Sequence, residues 1–541
     1  GLRNINMYEI NLTEAFFRPQ ADAELRNITV GELLRETADR YPDASALVDI
    51  ALDGAVGRDW NYCELLATSE RLAVSLASRF DPGERVVVWA PNIPEWIFME
   101  YACALTGLVL VTANPSFQAK ELRYVLEQSG AVALFLIDSF RSNPMTEIAN
   151  DAISGNKVIR EVVNLEDEAA LFKKGPRPAE LPGVKPTDPA QIQYTSGTTG
   201  FPKGAVLSHY NLVNNACLFA ARKKVHRQSV WANFMPMFHT AGCATTALGS
   251  LQAGCKMLMI KLFDANVLAR LIESEGVTTF FAVPTMLVGL LEALESEDRN
   301  MLSMEVISTG GAPVAPELVR KVRDRLSCSL QSAFGQTEAS PMICFNHDDV
   351  TLDDICYSAG QPLPHTGVSI RHPETGAVLA VGEIGEICAQ GYNVMIGYHD
   401  NEEATRAAID GDGWLHTGDL GKLDQRGFIR VTGRVKDMII RGGENHFPVE
   451  IENTLIENPQ VAEVAVVGIP DEKWGEAIAA FIRTKDNKTL NIDDLKSTCR
   501  RYLSSQKTPT IWRRVSTFPL TGSGKIQKFR IRDKYLSGDY D

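Results

Sequence analysis

The segment Tyr194-Thr195-Ser196-Gly197-Thr198-Thr199-Gly200-Phe201-Pro202-Lys203-Gly204 packs hydroxyls, glycines and one lysine between two apolar runs. Glycines let a polyanion approach the backbone, and the free N–H groups of such a loop can cradle phosphate oxygens. Thr195, Ser196, Thr198 and Thr199 add side-chain donors, Gly197 and Gly200 give close approach, and Lys203 adds a charge. The chemistry implied is a grip on the triphosphate of a nucleotide. A P-loop needs Gly-Lys followed by Ser or Thr at the start of a helix. Here Gly204 follows Lys203, Ala205-Val206-Leu207 reads as a strand, and the next helix starts at His209 with Ser208 as its N-cap. The loop therefore joins two strands. On this segment alone a flexible surface hairpin is the open alternative.

Apolar strands and helical patterns alternate on both sides of the loop. Residues 85–90, 109–113 and 133–137 read as strands, separated by helices over 93–105 and 120–129. A second alternation puts strands at 256–260, 278–283, 305–309 and 329–334, with helices at 265–275, 285–294 and 316–326. Both are parallel-sheet patterns, and ligands of such sheets bind beyond the strand carboxyl ends. Two polar strand exits, Ser308-Thr309-Gly310-Gly311-Ala312-Pro313 and Phe334-Gly335-Gln336-Thr337-Glu338, fall at that edge. Residues 350–433 are rich in short strands and glycine turns and read as a β-barrel-like unit. Beyond 435 a small α+β domain follows, with helices over 449–457 and 493–503 and strands over 461–469, 477–483 and 513–518.

The chain has 541 residues, 45% hydrophobic and 23% charged, with a net charge of -14. That length exceeds one ordinary core. The acidic balance and lack of a dense basic tract argue against nucleic acid or an anionic membrane as partner. Ten scattered cysteines without a CxxC pair read as buried thiols of a reducing compartment. No apolar run is long enough to span a bilayer, and no signal-peptide pattern is present. The expected location is the cytoplasm, with Met7 as the natural start after Gly1 to Asn6. A leader cleaved from the chain is also admitted.

Seven motifs occur in order: YTSGTTGFPKG (194–204), PMFH (236–239), STGGAP (308–313), FGQTE (334–338), GWLHTGD (413–419), GRVKDMIIRGGENHFPVEIE (433–452) and PLTGSGKIQK (519–528). Together they resemble the adenylate-forming superfamily of acyl-CoA synthetases, luciferases and peptide-synthetase adenylation domains. The chain is most similar to medium-chain acyl-CoA synthetases. The resemblance implies an α/β fold: a large N-terminal part (1–433) of two layered α/β units plus the β-barrel-like unit, a hinge (434–437) at Lys436, and a small mobile α+β C-terminal domain (438–541). It implies ATP, Mg2+ and coenzyme A. A carboxylate attacks the α-phosphate of ATP, then the thiol of coenzyme A displaces AMP.

Site roles come by the same resemblance. Glu338 is the metal ligand, with Thr337 bonding the α-phosphate; a surface glutamate after a strand is the alternative. Phe334, where the family carries tyrosine, stacks on adenine against Gly311, Ala312 and Pro313. Asp419 takes the ribose hydroxyls, with Arg434 beside it; a turn aspartate is the alternative. His239 stands between acyl pocket and adenylate, or else packs in the core. Lys525, otherwise a solvated lysine near the chain end, bridges acid and α-phosphate. Arg441, Gly442 and Gly443 face coenzyme A after domain rotation, and His446 departs from the usual Ile or Val. Trp231, Thr240, Ala241, Gly242, Cys243, Phe281, Ser308 and Gly310 wall the acyl pocket, although small residues after His239 would equally suit helix packing. The acid is medium-chain, branched, alicyclic or aryl. The partners are that acid, ATP and coenzyme A, and a homodimer is admitted. Rival readings are an acyl-AMP ligase serving another acceptor such as a carrier protein, and a non-catalytic nucleotide-binding protein.

Overall fold

The computed structural model describes residues 6–177, 180–195, 201–310, 314–520 and 525–540. It divides into two compact units. The first comprises residues 1–369, 388–417 and 424–429, and the second 370–387, 418–423 and 430–541.

In the first unit, the apolar runs Arg85–Trp89, Val109–Ala113 and Ala133–Leu136 pair in parallel, with Glu161–Asn164 and Pro189–Thr195 outside them. Val86 to Trp89 are all fully buried, which is the pattern of a parallel strand covered on both faces. The crossover helix Pro94–Thr106 begins with proline at its first turn and ends on Gly107 at φ +73°. Proline fits there because its missing N–H is not needed, and glycine because φ is positive. Lys203–Ser208 then adds antiparallel to Pro189–Thr195, and Gly397–Tyr398 completes seven strands. Ser208 caps the helix His209–Lys223, its hydroxyl accepting from the Asn211 N–H at 3.0 Å. Such a cap is worth about 1 kcal/mol.

The second sheet has nine strands and also takes in the N-terminal hairpin Ser45–Ile50 and Val56–Asn61. Local pattern does not reveal this, because the hairpin's partner, Lys256–Ile260, lies two hundred residues away in sequence. Strands Val230–Asn233, Thr279–Phe281, Val306–Gly310 and Ser329–Gly335 run parallel side by side. Side chains alternate between the faces of each strand. One face carries Ala232, Phe280, Ile307 and Leu330 into a large apolar core. The other carries Trp231, Phe281 and Ala333 into a smaller cluster with Phe219, Met342, Phe345 and Leu363.

The second unit centres on Gly475–Thr484, which pairs antiparallel with Val461–Asp471 and parallel with Ile511–Arg514. Its alternation builds two cores: Ile478, Ala480 and Ile482 face the helices Pro448–Ile456 and Ile492–Tyr502, while Ala479 and Phe481 face Ile531 of Lys528–Leu536. Residues 350–433 do hold short strands, at Thr366–Arg371, Gly385–Gly391, Leu415–Leu423 and Ile429–Arg434. Among the described residues none of the sheets closes into a barrel, and this group remains open-edged. Among them, too, no helix is long and apolar enough to cross a membrane. All ten cysteines are free thiols, only Cys63 and Cys217 not fully buried.

His209 is buried at the start of its helix, where Nδ1 accepts from the Val30 N–H at 3.2 Å. Burial lowers its pKa to about 4, so the folded chain keeps the ring neutral. An unfolded histidine titrates near 6.5. Between those values the unfolded chain binds the extra proton, so this stability is present above about 6.5 and is lost as pH falls toward 4. His209→Gln is expected to lose less melting temperature than the wild type between pH 7 and pH 5. The difference corresponds to about 2 kcal/mol, and equal losses would contradict the assignment.

Candidate functional site

The two strands flanking the glycine-rich loop end in register, Thr195 opposite Lys203. Thr195 Oγ1 donates to the Lys203 carbonyl at 3.3 Å. Ser196, Gly197, Thr198, Thr199 and Gly200 lie outside the described residues, as do Gly311, Ala312 and Pro313. At the base of the loop, the exposed Phe201 stacks on Tyr124, whose hydroxyl donates to the Pro202 carbonyl at 2.7 Å.

Strand Ser329–Gly335 delivers Phe334 to its carboxyl end, and a single 3-10 turn, Thr337–Ala339, presents Glu338. The Tyr398 hydroxyl donates to Glu338 Oε2 at 2.7 Å, and the Met395 N–H donates to the Glu338 carbonyl at 2.9 Å. Lys203 Nζ stands 4.9 Å from the centre of the Tyr398 ring. Burial and the Glu338 charge push the Tyr398 phenol well above its ordinary pKa, so it remains a donor. Tyr398 therefore ties the loop lysine to the glutamate, a role the sequence reading missed. Oε2 is held by the phenol and, among the described residues, Oε1 has no hydrogen bond, so the carboxylate fits a magnesium ion that would take its remaining oxygens from phosphate and water.

His239 lies against Phe238, ring centroids 4.3 Å apart. Desolvation lowers its pKa, although the residue keeps an exposed surface that damps the shift. A π-helix, Ala241–Thr246, begins one residue after the buried Thr240. Such segments recur at functional sites. A Cβ on Gly242 would meet the Pro236 carbonyl oxygen at 2.4 Å, so close packing accounts for that glycine. Cys243 turns to the other sheet, its thiol bonded by Gln193 Nε2 at 3.2 Å and to Gln191 Oε1 at 3.3 Å. Trp231, Phe281, Ser308 and Gly310 instead share one face of the nine-stranded sheet.

The second unit groups the other candidates. Desolvation lowers the pKa of Lys525, the Arg434 charge lowers it further, and Asp419 opposes both. Lys436 is lowered the same way, by desolvation and then Arg434, against Asp437 and Asp419. Asp419 thus opposes the Arg434 charge at both lysines, and Lys525, Lys436 and Arg434 each remain exposed enough for water to screen part of the repulsion. Thr521 to Gly524, just ahead of Lys525, lie outside the described residues. Strands Ile439–Arg441 and Glu444–His446 form a hairpin whose turn is Gly442 and Gly443, at φ +59° and +80°. Both angles are those of a type I′ turn, which glycine accepts without strain. The Arg441 guanidinium lies over the Trp474 ring at 4.9 Å and donates to the Gln506 carbonyl at 2.9 Å. His446 is buried opposite Ile439, which is why an aliphatic residue would suit the position.

Residues 34–399 match the AMP-binding enzyme family, and residues 450–525 match the AMP-binding enzyme C-terminal domain. The chain is an AMP-binding enzyme. A Bacillus subtilis protein carrying the name acyl-CoA synthetase YngI is 36% identical to the enzyme, covering 95% of this chain and 98% of its own. The mitochondrial medium-chain acyl-CoA ligase of Bos taurus is 34% identical, over 94% of this chain and 88% of its own. Among solved structures, a Mycobacterium tuberculosis fatty acyl CoA synthetase superposes with a TM-score of 0.78 at 29% identity, covering 94% of this chain and 99% of that one. The o-succinylbenzoate coenzyme A synthetase of Bacillus subtilis, in complex with ATP and magnesium, superposes with a TM-score of 0.77 at 28% identity, covering 93% and 99%. The enzyme is an ATP-dependent acyl-CoA synthetase that uses Mg2+ and proceeds through an acyl-adenylate.

Tyr398→Phe keeps the ring beneath Lys203 and removes the bond to Glu338. The Mg2+ concentration that half-saturates pyrophosphate release is expected to rise about ten-fold, with little change in melting temperature. An unchanged Mg2+ requirement would separate the Tyr398–Glu338 bond from metal binding.

Proposed function

We propose that the enzyme activates a medium-chain, branched, alicyclic or aryl acid at the carboxyl ends of the nine-stranded sheet, in two half-reactions served by two domain arrangements. The observation that carries this reading is the common electrostatic environment of Lys525, Arg434 and Asp419 in the second unit. In the first half-reaction a carboxylate oxygen forms a bond to the α-phosphorus of ATP, and the bond to the pyrophosphate oxygen breaks. The Lys525 ammonium bridges the incoming carboxylate and the α-phosphate, so that two anions can meet. Asp419 accepts from the ribose hydroxyls, Arg434 assists, Phe334 stacks on adenine, and Thr337 bonds the α-phosphate. The glycine-rich loop with Thr195 and Lys203 grips the outer phosphates. Glu338 would hold Mg2+, which when bound would supply charge neutralisation on phosphate.

In the second half-reaction the thiol sulfur of coenzyme A bonds to the acyl carbon, the carbon–oxygen bond to AMP breaks, and AMP leaves. Lys525 has to withdraw for the thiol to enter. The segment 434–437 around Lys436 serves as the hinge between 1–433 and 438–541; its Val435–Asp437 stretch is one 3-10 turn, the kind of short segment that absorbs a dihedral change. Arg441, Gly442 and Gly443 then line the path of coenzyme A. His239 orients the acid at the mouth of the pocket. The names of the medium-chain relatives support the acid class. The free, mostly buried cysteines support the cytoplasm, and a homodimer is tested by sedimentation.

The deciding experiment is pyrophosphate release over a panel of carboxylic acids, with ATP and Mg2+, with and without coenzyme A. Multiple turnovers that require coenzyme A are expected for one acid class. Release independent of coenzyme A would favour an acyl-AMP ligase with another acceptor. Lys525→Ala should nearly abolish adenylate formation while sparing thioester formation from supplied acyl-adenylate; equal losses would contradict two arrangements. Gly443→Trp should block only the second half-reaction, with Gly443→Asn as the control that tolerates positive φ.

The adenylation step needs Lys525 charged, and its pKa is lowered. Adenylation should therefore fall as pH rises through a value below the ordinary lysine range. Lys525→Arg, charged throughout, should shift that limb upward, and identical pH profiles would remove the assignment.

A further inference from the structure

Lys223 is the last residue of the helix His209–Lys223, and its side chain is buried in the first unit. Nζ donates to the Phe280 carbonyl at 3.1 Å and contacts Ser308 Oγ. It lies 4.8 Å from the centre of the Trp231 ring. Among the described residues no carboxylate pairs with it. An ammonium has three donors, and a buried amine with only neutral partners is left uncompensated.

The surroundings are similarly incomplete. Trp231 pairs in register with Thr279, and Ser308 with both Phe281 and Gln331, so all five side chains share one sheet face. On that face Trp231 Nε1, Thr279 Oγ1 and Gln331 Oε1 are buried with no hydrogen-bond partner among the described residues. Trp231, Thr279 and Gln331 are each at most 1% exposed. On the opposite face Phe280, Ile307 and Leu330 pack into the large apolar core, and Thr309, two residues beyond Ile307, has the one hydroxyl of its strand on that face that is buried without a partner among the described residues. Buried polar atoms are normally paired, and a cluster of exceptions calls for a reason.

We propose that Lys223 and Ser308 form a subsite for the far end of the acyl substrate, which carries a hydrogen-bond acceptor: a second carboxylate or a carbonyl oxygen. This rests on the acyl-pocket reading above and narrows it. Gly310 lies at the strand exit and Ser308 two residues deeper on the same face, about 7 Å along the strand. That depth suits an acid of roughly four to six carbons. A Cβ on Gly310 would meet the Phe281 ring at 3.3 Å, so that ring closes the face below Gly310, and its rotation would open a path to Ser308. Burial already lowers the Lys223 pKa well below that of an ordinary lysine. An arriving carboxylate restores the ammonium by supplying the missing counter-charge, whereas a carbonyl oxygen takes the remaining N–H.

The test uses the full chain with ATP, Mg2+ and coenzyme A, and compares kcat/KM for hexanoate, 5-oxohexanoate and adipate. The wild type should favour at least one of the acceptor-bearing acids over hexanoate by about ten-fold or more. Preference for adipate alone assigns a carboxylate, and preference for both assigns any acceptor oxygen. Lys223→Met should reverse the order, with melting temperature unchanged or raised, since an apolar side chain of similar length replaces a buried amine. Ser308→Ala should weaken the preference in the same direction. Wild-type preference for hexanoate, turnover of none of the three acids, or an unchanged ratio in Lys223→Met would overturn the proposal. Phe281→Ala separates the two levels of the argument. If it alters chain-length preference while Lys223→Met leaves the ratio intact, the subsite is wrong and the pocket stands; if it alters nothing, the pocket reading itself fails.

Discussion

Parallel pairing of Thr279–Phe281, Val306–Gly310 and Ser329–Gly335 is the constraint on which the larger unit depends. Parallel strands bury both faces, so polar groups are tolerated only where the strands stop or where a specific partner awaits them. The carboxyl ends therefore collect Gly310, Phe334 and Glu338, while deeper in the strands Phe280, Ile307 and Leu330 pack into an apolar core on one side. Alternation does the rest. Ala333 and Phe334, adjacent in sequence, serve opposite faces, so one strand contributes to two different surfaces.

Electrostatics acts locally in an acidic protein. The net charge of -14 would repel a nucleotide triphosphate at long range. Cations are instead held at defined points: Lys203 over the Tyr398 ring, and Lys525 and Lys436 near Asp419 and Arg434. Mutual repulsion lowers the lysine pKa values, and the aspartate limits that lowering. A set of cations arranged this way is stabilised further when a polyanion arrives, which couples ligand binding to local order.

Much of the fold was readable in advance. The strand Lys256–Ile260 and the helices Ala265–Glu275 and Pro316–Leu326 have the bounds that periodicity assigns. Ser208 caps its helix because a hydroxyl there satisfies an N–H that the helix cannot. The π-helix after Thr240 was not readable, since composition does not specify a widened turn; within it Gly242 lies too close to the Met235 and Pro236 carbonyls for a side chain. The barrel expected over 350–433 is an open group of strands, because strand count and glycine turns do not specify whether the edges meet.

The sequence by itself determined the motifs, their order, most elements and the family, because glycines, caps and apolar spacing act on the neighbouring backbone. Tertiary structure alone decided that Tyr398 holds Glu338, sixty residues apart, and that Lys223 meets Ser308, eighty-five apart. It also decided that Cys243 turns away from the sheet face that Trp231 and Ser308 share. The physical reason is that such pairs depend on strand order and on which face a residue occupies, and a one-residue change in register would send each side chain to the opposite side.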